Sequence, residues 1–186
     1  MPSEKSRLTL ALGDAIRPIT DTEERTATDA ALKLLSNELS QRRRVYGVEL
    51  RIPKTEQAAA PPRYFSVFIG DYDKRRTLEV VVDSAGTLIS KTDLTGFQPP
   101  ILTDEVIEAR KIAEAQPIIA AIAGTPGGFV QAFGPHAEEA PERRLVGLRY
   151  GAMTSTGPIA LAEVEVDLSR QKLIRFEDIQ AIGGGN

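Results

Sequence analysis

A strand-like motif occurs twice in this chain, and that recurrence narrows the folds open to it more than any other feature. Leu78-Glu79-Val80-Val81-Val82-Asp83 returns as Ala162-Glu163-Val164-Glu165-Val166-Asp167. Downstream, Leu88-Ile89 returns as Leu173-Ile174, and Asp93-Leu94 as Asp178-Ile179. Upstream, Ile19-Thr20-Asp21 returns as Leu102-Thr103-Asp104. The helix starts differ by 83 positions and the strand motifs by 84 or 85, so one or two inserted residues explain the drift. A near-constant offset across a helix start and two strands marks a duplicated unit.

Each copy reads as one helix followed by four strands. In the first, Thr20 or Asp21 caps a helix over 19–39, with Glu23 and Glu24 in its first turn and Ala27, Ala31, Leu34, Leu35 and Leu39 at helical spacing. Arg42-Arg43-Arg44 follows the helix as a positive, solvated end. Strands are expected at 45–52, 63–69, 77–83 and 87–91, with breaks at Pro53 and 57–62 and turns at Asp71-Tyr72-Asp73-Lys74 and Asp83-Ser84-Ala85-Gly86. In the second, Thr103-Asp104-Glu105 caps a helix to about Ile122 that Pro117 kinks or breaks, and strands are expected at 129–133, 144–150, 159–167 and 172–176. The expected division is a first domain at 15–95, a linker at 96–100, a second domain at 101–182 and a disordered tail at 183–186.

One helix cannot bury its apolar stripe alone, and a four-stranded sheet needs cover on one face. Packing one on the other solves both problems within about 80 residues. The expected fold class is therefore α+β: tandem cystatin-like domains, each a helix on a curled four-stranded antiparallel sheet. Alternation is strict in 162–167, so one face of that strand is wet. It fails at Val80-Val81-Val82, where cover on both faces is expected, the second face by the other copy.

Composition removes several chemistries. The chain has 186 residues and no cysteine, which excludes disulfides, thiolate metal sites and cysteine nucleophiles. A net charge of −3 with both signs interspersed gives no basis for nucleic acid binding. No apolar run approaches the ~20 residues of a membrane span. The start, MPSEKSRLTLALG, has no long apolar core like that of a secretory leader, so a cytoplasmic location is expected.

Further fragments occur in a telling order. Val48-Glu49-Leu50-Arg51 precedes Pro61-Pro62-Arg63, then the strand 77–83, then Gly96-Phe97-Gln98-Pro99-Pro100-Ile101-Leu102. Arg143-Arg144-Leu145-Val146, Val164-Glu165-Val166-Asp167 and Ile174-Arg175-Phe176-Glu177-Asp178 follow. From Arg17 to Asp178 this series resembles the two small domains that precede the catalytic domain of copper amine oxidases. The resemblance implies a cystatin-like fold for both copies. It also implies that the chemistry lies elsewhere, in a large β-sandwich domain with a tyrosine that becomes topaquinone and three histidines that bind copper. Here the one histidine is His136, and neither Asn37 nor Asn186 precedes a tyrosine. Only eight residues follow Asp178. No catalytic, cofactor-binding or metal-binding residue is expected, and no cofactor.

Other constellations read as structural. Asp71 and Asp73 are read as turn carboxylates rather than metal ligands. His136, in Phe133-Gly134-Pro135-His136-Ala137-Glu138-Glu139, is read as a loop histidine without the partners of a triad. Gly124-Thr125-Pro126-Gly127-Gly128 lacks the Gly-Lys-Ser/Thr ending of a phosphate loop. Glu163, Glu165 and Asp167, with Asp178 near, are read as a wet sheet face paired across strands with Arg143, Arg144, Arg149 and Arg175. Most of Tyr46, Tyr64, Phe65, Phe68, Tyr72 and Phe97 are expected in the core. The expectation is a non-catalytic binding or accessory module that holds a protein partner or a second copy. The alternatives are an accessory chain of a separately encoded amine oxidase catalytic domain, or a small-ligand cavity protein or enzyme. The last requires a carboxylate of raised pKa in an enclosed pocket.

Overall fold

The structure is a computed structural model that describes residues 16–52, 62–134 and 143–179. Three helices occur among these residues: α1 (Asp21–Leu34), α2 (Thr103–Glu114) and α3 (Pro117–Ala123). The strands are β1 (Arg43–Arg51), β2 (Tyr64–Asp71), β3 (Arg76–Asp83), β4 (Leu88–Asp93), β5 (Gly128–Phe133), β6 (Leu145–Thr154), β7 (Gly157–Asp167) and β8 (Lys172–Asp178). They form two four-stranded sheets, β1-β2-β3-β4 and β5-β6-β7-β8, with every neighbouring pair antiparallel. The fold is α+β, consistent with tandem cystatin-like units. One compact unit gathers the described residues through Asp71 together with Arg76–Leu94. The other gathers Tyr72–Arg75 and the described residues from Thr95 on.

In the first unit, Thr20 caps α1. Its side chain accepts from the Glu23 N–H, and the Glu23 carboxylate accepts from the Thr20 N–H. The buried helix face is Ala27, Ala31 and Leu35, packed on Phe65, Val67 and Ile69 of β2 and Leu78, Val80 and Val82 of β3. Alanines on the buried face let the helix backbone approach the sheet. The helix stops at Leu34 rather than Leu39: beyond it the Ser36 N–H turns to the Lys33 carbonyl at 3.2 Å, a tighter turn than the α-helix. Leu39 is buried all the same. On the sheet's other face Val81, paired with Ser66, is only 2% exposed. That accounts for the failed alternation.

The second unit repeats the plan. Ala109 and Ala113 stand 82 positions after Ala27 and Ala31, and pack with Ile119 on Val146, Leu148 and Tyr150 of β6 and Val164 and Val166 of β7. Pro117 does break the expected helix and becomes the first residue of α3, where its missing N–H costs nothing. The cap differs from expectation. Leu102, not Thr103, is the capping residue, and Thr103 is already helical. Glu105, three residues on, accepts from the Leu102 N–H at 2.9 Å, which is half of a capping box. The true helix offset is thus 82, one less than the matching threonines indicate. β6 and β7 also run further than expected, to a two-residue turn at Ser155-Thr156.

A second correspondence is an aromatic ring laid over a glycine. Tyr46 of β1 covers Gly70 of β2, and Phe129 of β5 covers Gly151 of β6. A side chain at either glycine would occupy the ring's place.

Candidate functional site

The densest polar constellation lies in the second unit, around Arg144. This residue precedes β6 and is buried. Its Nε donates to Glu105 Oε1 at 2.7 Å, and Nη2 donates to Glu105 Oε2 at 2.6 Å and to the Pro100 carbonyl at 2.9 Å. Nη1 donates to the Pro99 carbonyl at 2.7 Å and to Gln98 Oε1 at 3.3 Å. All five N–H groups of a guanidinium are thereby engaged. Glu105, fully buried, also accepts from the Tyr72 hydroxyl at 2.7 Å and from the Leu102 N–H. Its roughly four lone-pair sites are filled as well.

Such saturation sets what the cluster can do. Burial on its own pushes the Glu105 carboxyl up. The Arg144 guanidinium, the Leu102 N–H and the Tyr72 hydroxyl outweigh burial and hold the carboxyl below the usual range. Glu105 is therefore an ion at neutral pH with no proton to give. Arg144 has no donor left to offer an anion. A cleft of about 430 Å³ opens beside it, between Pro99, Pro100, Ile101, Val106 and Phe133. None of the described residues lining that cleft is acidic. This cleft therefore does not present the carboxyl that the cavity-enzyme alternative needs. Burial first, and nearby Glu114 second, push the Tyr150 hydroxyl up, so it stays neutral.

The first unit holds the same device partly solvated. Arg63 precedes β2 as Arg144 precedes β6. It donates to the carbonyls of Arg17 at 2.9 Å and Pro18 at 3.5 Å, the positions that match Pro99 and Pro100. Its Nε stands 3.3 Å from Glu23, the match of Glu105. Arg17 adds a two-armed bond to Glu23 at 2.7 and 2.8 Å. Hydrogen bonding from Arg17 first, and from Thr20 next, lowers Glu23 to about 2. Sequence reading missed the clamp in both copies. Its signal was present: a glutamate three residues past each helix cap, and an arginine just ahead of each second strand.

The acid ladder on β7 forms in part. Arg149 pairs with Glu163 at 2.6 Å, and Arg175 stands 3.6 Å from Glu165 and 2.7 Å from Glu177. Two expectations are corrected. Arg144 belongs to Glu105, not to the ladder. Asp167 does not sit on a wet face: it is fully buried, accepts from the Arg170 N–H at 3.1 Å and lies 3.7 Å from Arg143. In the first copy Asp83 has the same turn-forming role, accepting from the N–H groups of Ala85 and Thr87. The two turn carboxylates also part company. Asp71 is buried and binds the Ser40 hydroxyl at 2.6 Å, while Asp73 is exposed. Gly124–Gly128 is the turn from α3 into β5. Of the six aromatics, most of them expected in the core, only two are buried: Phe65 in the first core and Tyr72 on Glu105; Tyr46, Tyr64 and Phe68 are half-buried and Phe97 is exposed. His136 lies outside the described residues. Among those residues, no group of three or more His, Asp or Glu could hold a metal ion, and no helix is long and apolar enough to cross a membrane.

Comparison with known proteins bears on the fold. No family model matches the chain, and no curated protein does. Among solved structures, it is similar to a copper-containing benzylamine oxidase from Hansenula polymorpha, with a TM-score of 0.62 and 16% identity. The alignment covers 86% of this chain and 29% of that one, so this chain corresponds to a part of the oxidase. The C-terminal domain of Bacillus megaterium YpeB aligns at a TM-score of 0.28 and 9% identity, over 91% of this chain and 67% of that one, which is too distant to bear on the fold. The structural neighbour is a copper amine oxidase, and the likeness to it is one of fold.

Proposed function

We propose that the chain is a non-catalytic binding or accessory module, equivalent to the pair of small domains that precede the catalytic domain in copper amine oxidases. The observation that carries this reading is the oxidase-like fold over 86% of the chain, against 29% of the oxidase. The internal chemistry supports it. The buried carboxylate and guanidinium of the second unit spend their hydrogen-bonding capacity on holding the helix start to the sheet. Its partner would be the catalytic domain of an amine oxidase.

The experiment mixes the purified chain with an isolated copper amine oxidase catalytic domain. Co-elution on size exclusion, or a changed rate of benzylamine oxidation, is expected. The chain alone, supplied with copper, is expected to produce no hydrogen peroxide from benzylamine. Turnover by the chain alone overturns the non-catalytic reading. A mixture that neither co-elutes nor changes rate overturns the accessory role.

A further inference from the structure

The two sheets have four edge strands, β1, β4, β5 and β8. An edge strand presents a row of unpaired backbone N–H and C=O groups, a template for any other strand, and proteins blunt it with bulges and charges. Three of these edges are blunted both ways. β1 carries an extra residue at Tyr46 and the charges of Arg43, Arg44, Glu49 and Arg51. β4 carries an extra residue at Ile89, with Lys91 and Asp93. β8 carries one at Ile174, with four charged residues along its length.

β5 has neither device. Its sequence, Gly-Phe-Val-Gln-Ala-Phe, holds no charge. Its pairing with β6 runs unbroken from Gly128↔Ala152 to Phe133↔Gly147. On its other side no strand pairs with it among the described residues. Val130 and Ala132 face the core. Phe129 and Phe133 lie on the opposite face, over Gly151 and Gly147, with exposed Gln131 between them.

We propose that β5 is a docking edge for a second copy of this chain, the two β5 strands pairing antiparallel about a two-fold axis at Gln131. That register is self-complementary. Phe129 meets the partner's Phe133, Val130 meets the partner's Ala132, and Gln131 meets its own equivalent, amide to amide. No charge opposes a like charge. Pairing β5 with β1, β4 or β8 of another copy would set a straight, neutral strand against a bulged, charged one, so among the described edges a second β5 is the one that fits. A six-residue edge makes an interface well below the ~1,200 Å² of stable complexes, so dimerisation depends on concentration. The inference deepens the binding-module reading by naming an interface, and rests on that reading.

Sedimentation velocity of the full chain from about 1 μM to about 1 mM tests it. Wild type is expected to pass from monomer to dimer. Gln131→Lys and Gln131→Glu each place like charges at the axis and are expected to weaken self-association about tenfold or more. An equimolar mixture of the two is expected to recover it, Lys opposite Glu. Unchanged circular dichroism and melting of each variant show that folding is not the cause. A wild type that stays monomeric at 1 mM overturns the inference, whether or not other extended peptides bind the edge. So does a dimer that persists in both variants. A monomer that still binds the oxidase catalytic domain overturns only the inference and leaves the accessory reading intact.

Discussion

Glu23 and Glu105 occupy the same position in the two copies, three residues past a helix cap, and each is met by an arginine that precedes the second strand. The surroundings differ. Glu23 keeps 20% of its side chain exposed and Arg63 12%, whereas Glu105 keeps none and Arg144 7%. One device thus serves as a partly solvated ion pair and as a buried one. Screening makes an exposed pair worth ~0–1 kcal/mol. A buried pair is worth little more when intact, yet losing one partner strands a charge at ~3–5 kcal/mol. Backbone carbonyls meet the arginine in both copies; the second copy's carboxylate is completed by buried Tyr72, where the first has Arg17, itself 42% exposed.

The largest effect is therefore expected at the buried copy. Glu105→Ala leaves Arg144 buried without a counter-ion, and is expected to cost the second unit about 3–5 kcal/mol in urea unfolding. Glu23→Ala is expected to cost the first about 1 kcal/mol, mainly through the lost cap. Equal losses would break the comparison. A smaller contrast is expected at the ring-covered glycines. A Cβ at Gly70 meets the outer ring atoms of Tyr46 at 2.5 Å, and that ring can swing away. A Cβ at Gly151 meets the Phe129 ring and also the Ile159 carbonyl oxygen, 2.6 Å away and part of the backbone. Gly151→Ala is expected to lower stability by about 1–3 kcal/mol and Gly70→Ala by less than half of that, both read by thermal melting.

The smallest effect concerns acid. A carboxyl whose pKa is lower folded than unfolded stabilises the fold above its unfolded pKa, and loses that contribution as pH falls through the folded one. For Glu23 the window runs from 4.5 down to about 2. Hydrogen exchange of α1 amides is expected to show about 1 kcal/mol of protection lost across it, solvent screening having limited the pair. Glu23→Gln is expected to flatten that dependence. Glu105 shifts in the same direction, so α2 is expected to keep its acid dependence in Glu23→Gln while α1 loses its own, which would sharpen the contrast.

Much of this architecture is legible in local chemistry. Strand periodicity in 162–167 and the recurring Leu-Ile pair place β7, β4 and β8, because alternation and turn residues act over a few neighbours. The Leu-Ile pairs even mark matching bulges at Ile89 and Ile174. Matching the threonines misaligns the copies by one residue, because Thr20 caps α1 whereas Thr103 already lies inside α2; Glu23 and Glu105 keep the true spacing. Arg144 could not be assigned from its neighbours. It stands among Arg143, Arg149 and Arg175, which do meet the acids of β7 and β8, and only its position ahead of β6 turns it toward Glu105.

By itself, then, the sequence determined a duplicated helix-and-sheet unit, its strand order in outline and the residue types that would form its cores. Burial was decided by tertiary structure alone. It made Asp167 a hidden turn carboxylate where Asp83 stays partly wet, carried Tyr72 out of an apparent surface turn onto Glu105, and left β5, alone among the described edges, with neither bulge nor charge. The physical reason is that propensity and periodicity arise from contacts within a few residues. Whether a charge is solvated depends on what segments 30 to 40 residues away place beside it, as Tyr72 and Arg144 do for Glu105.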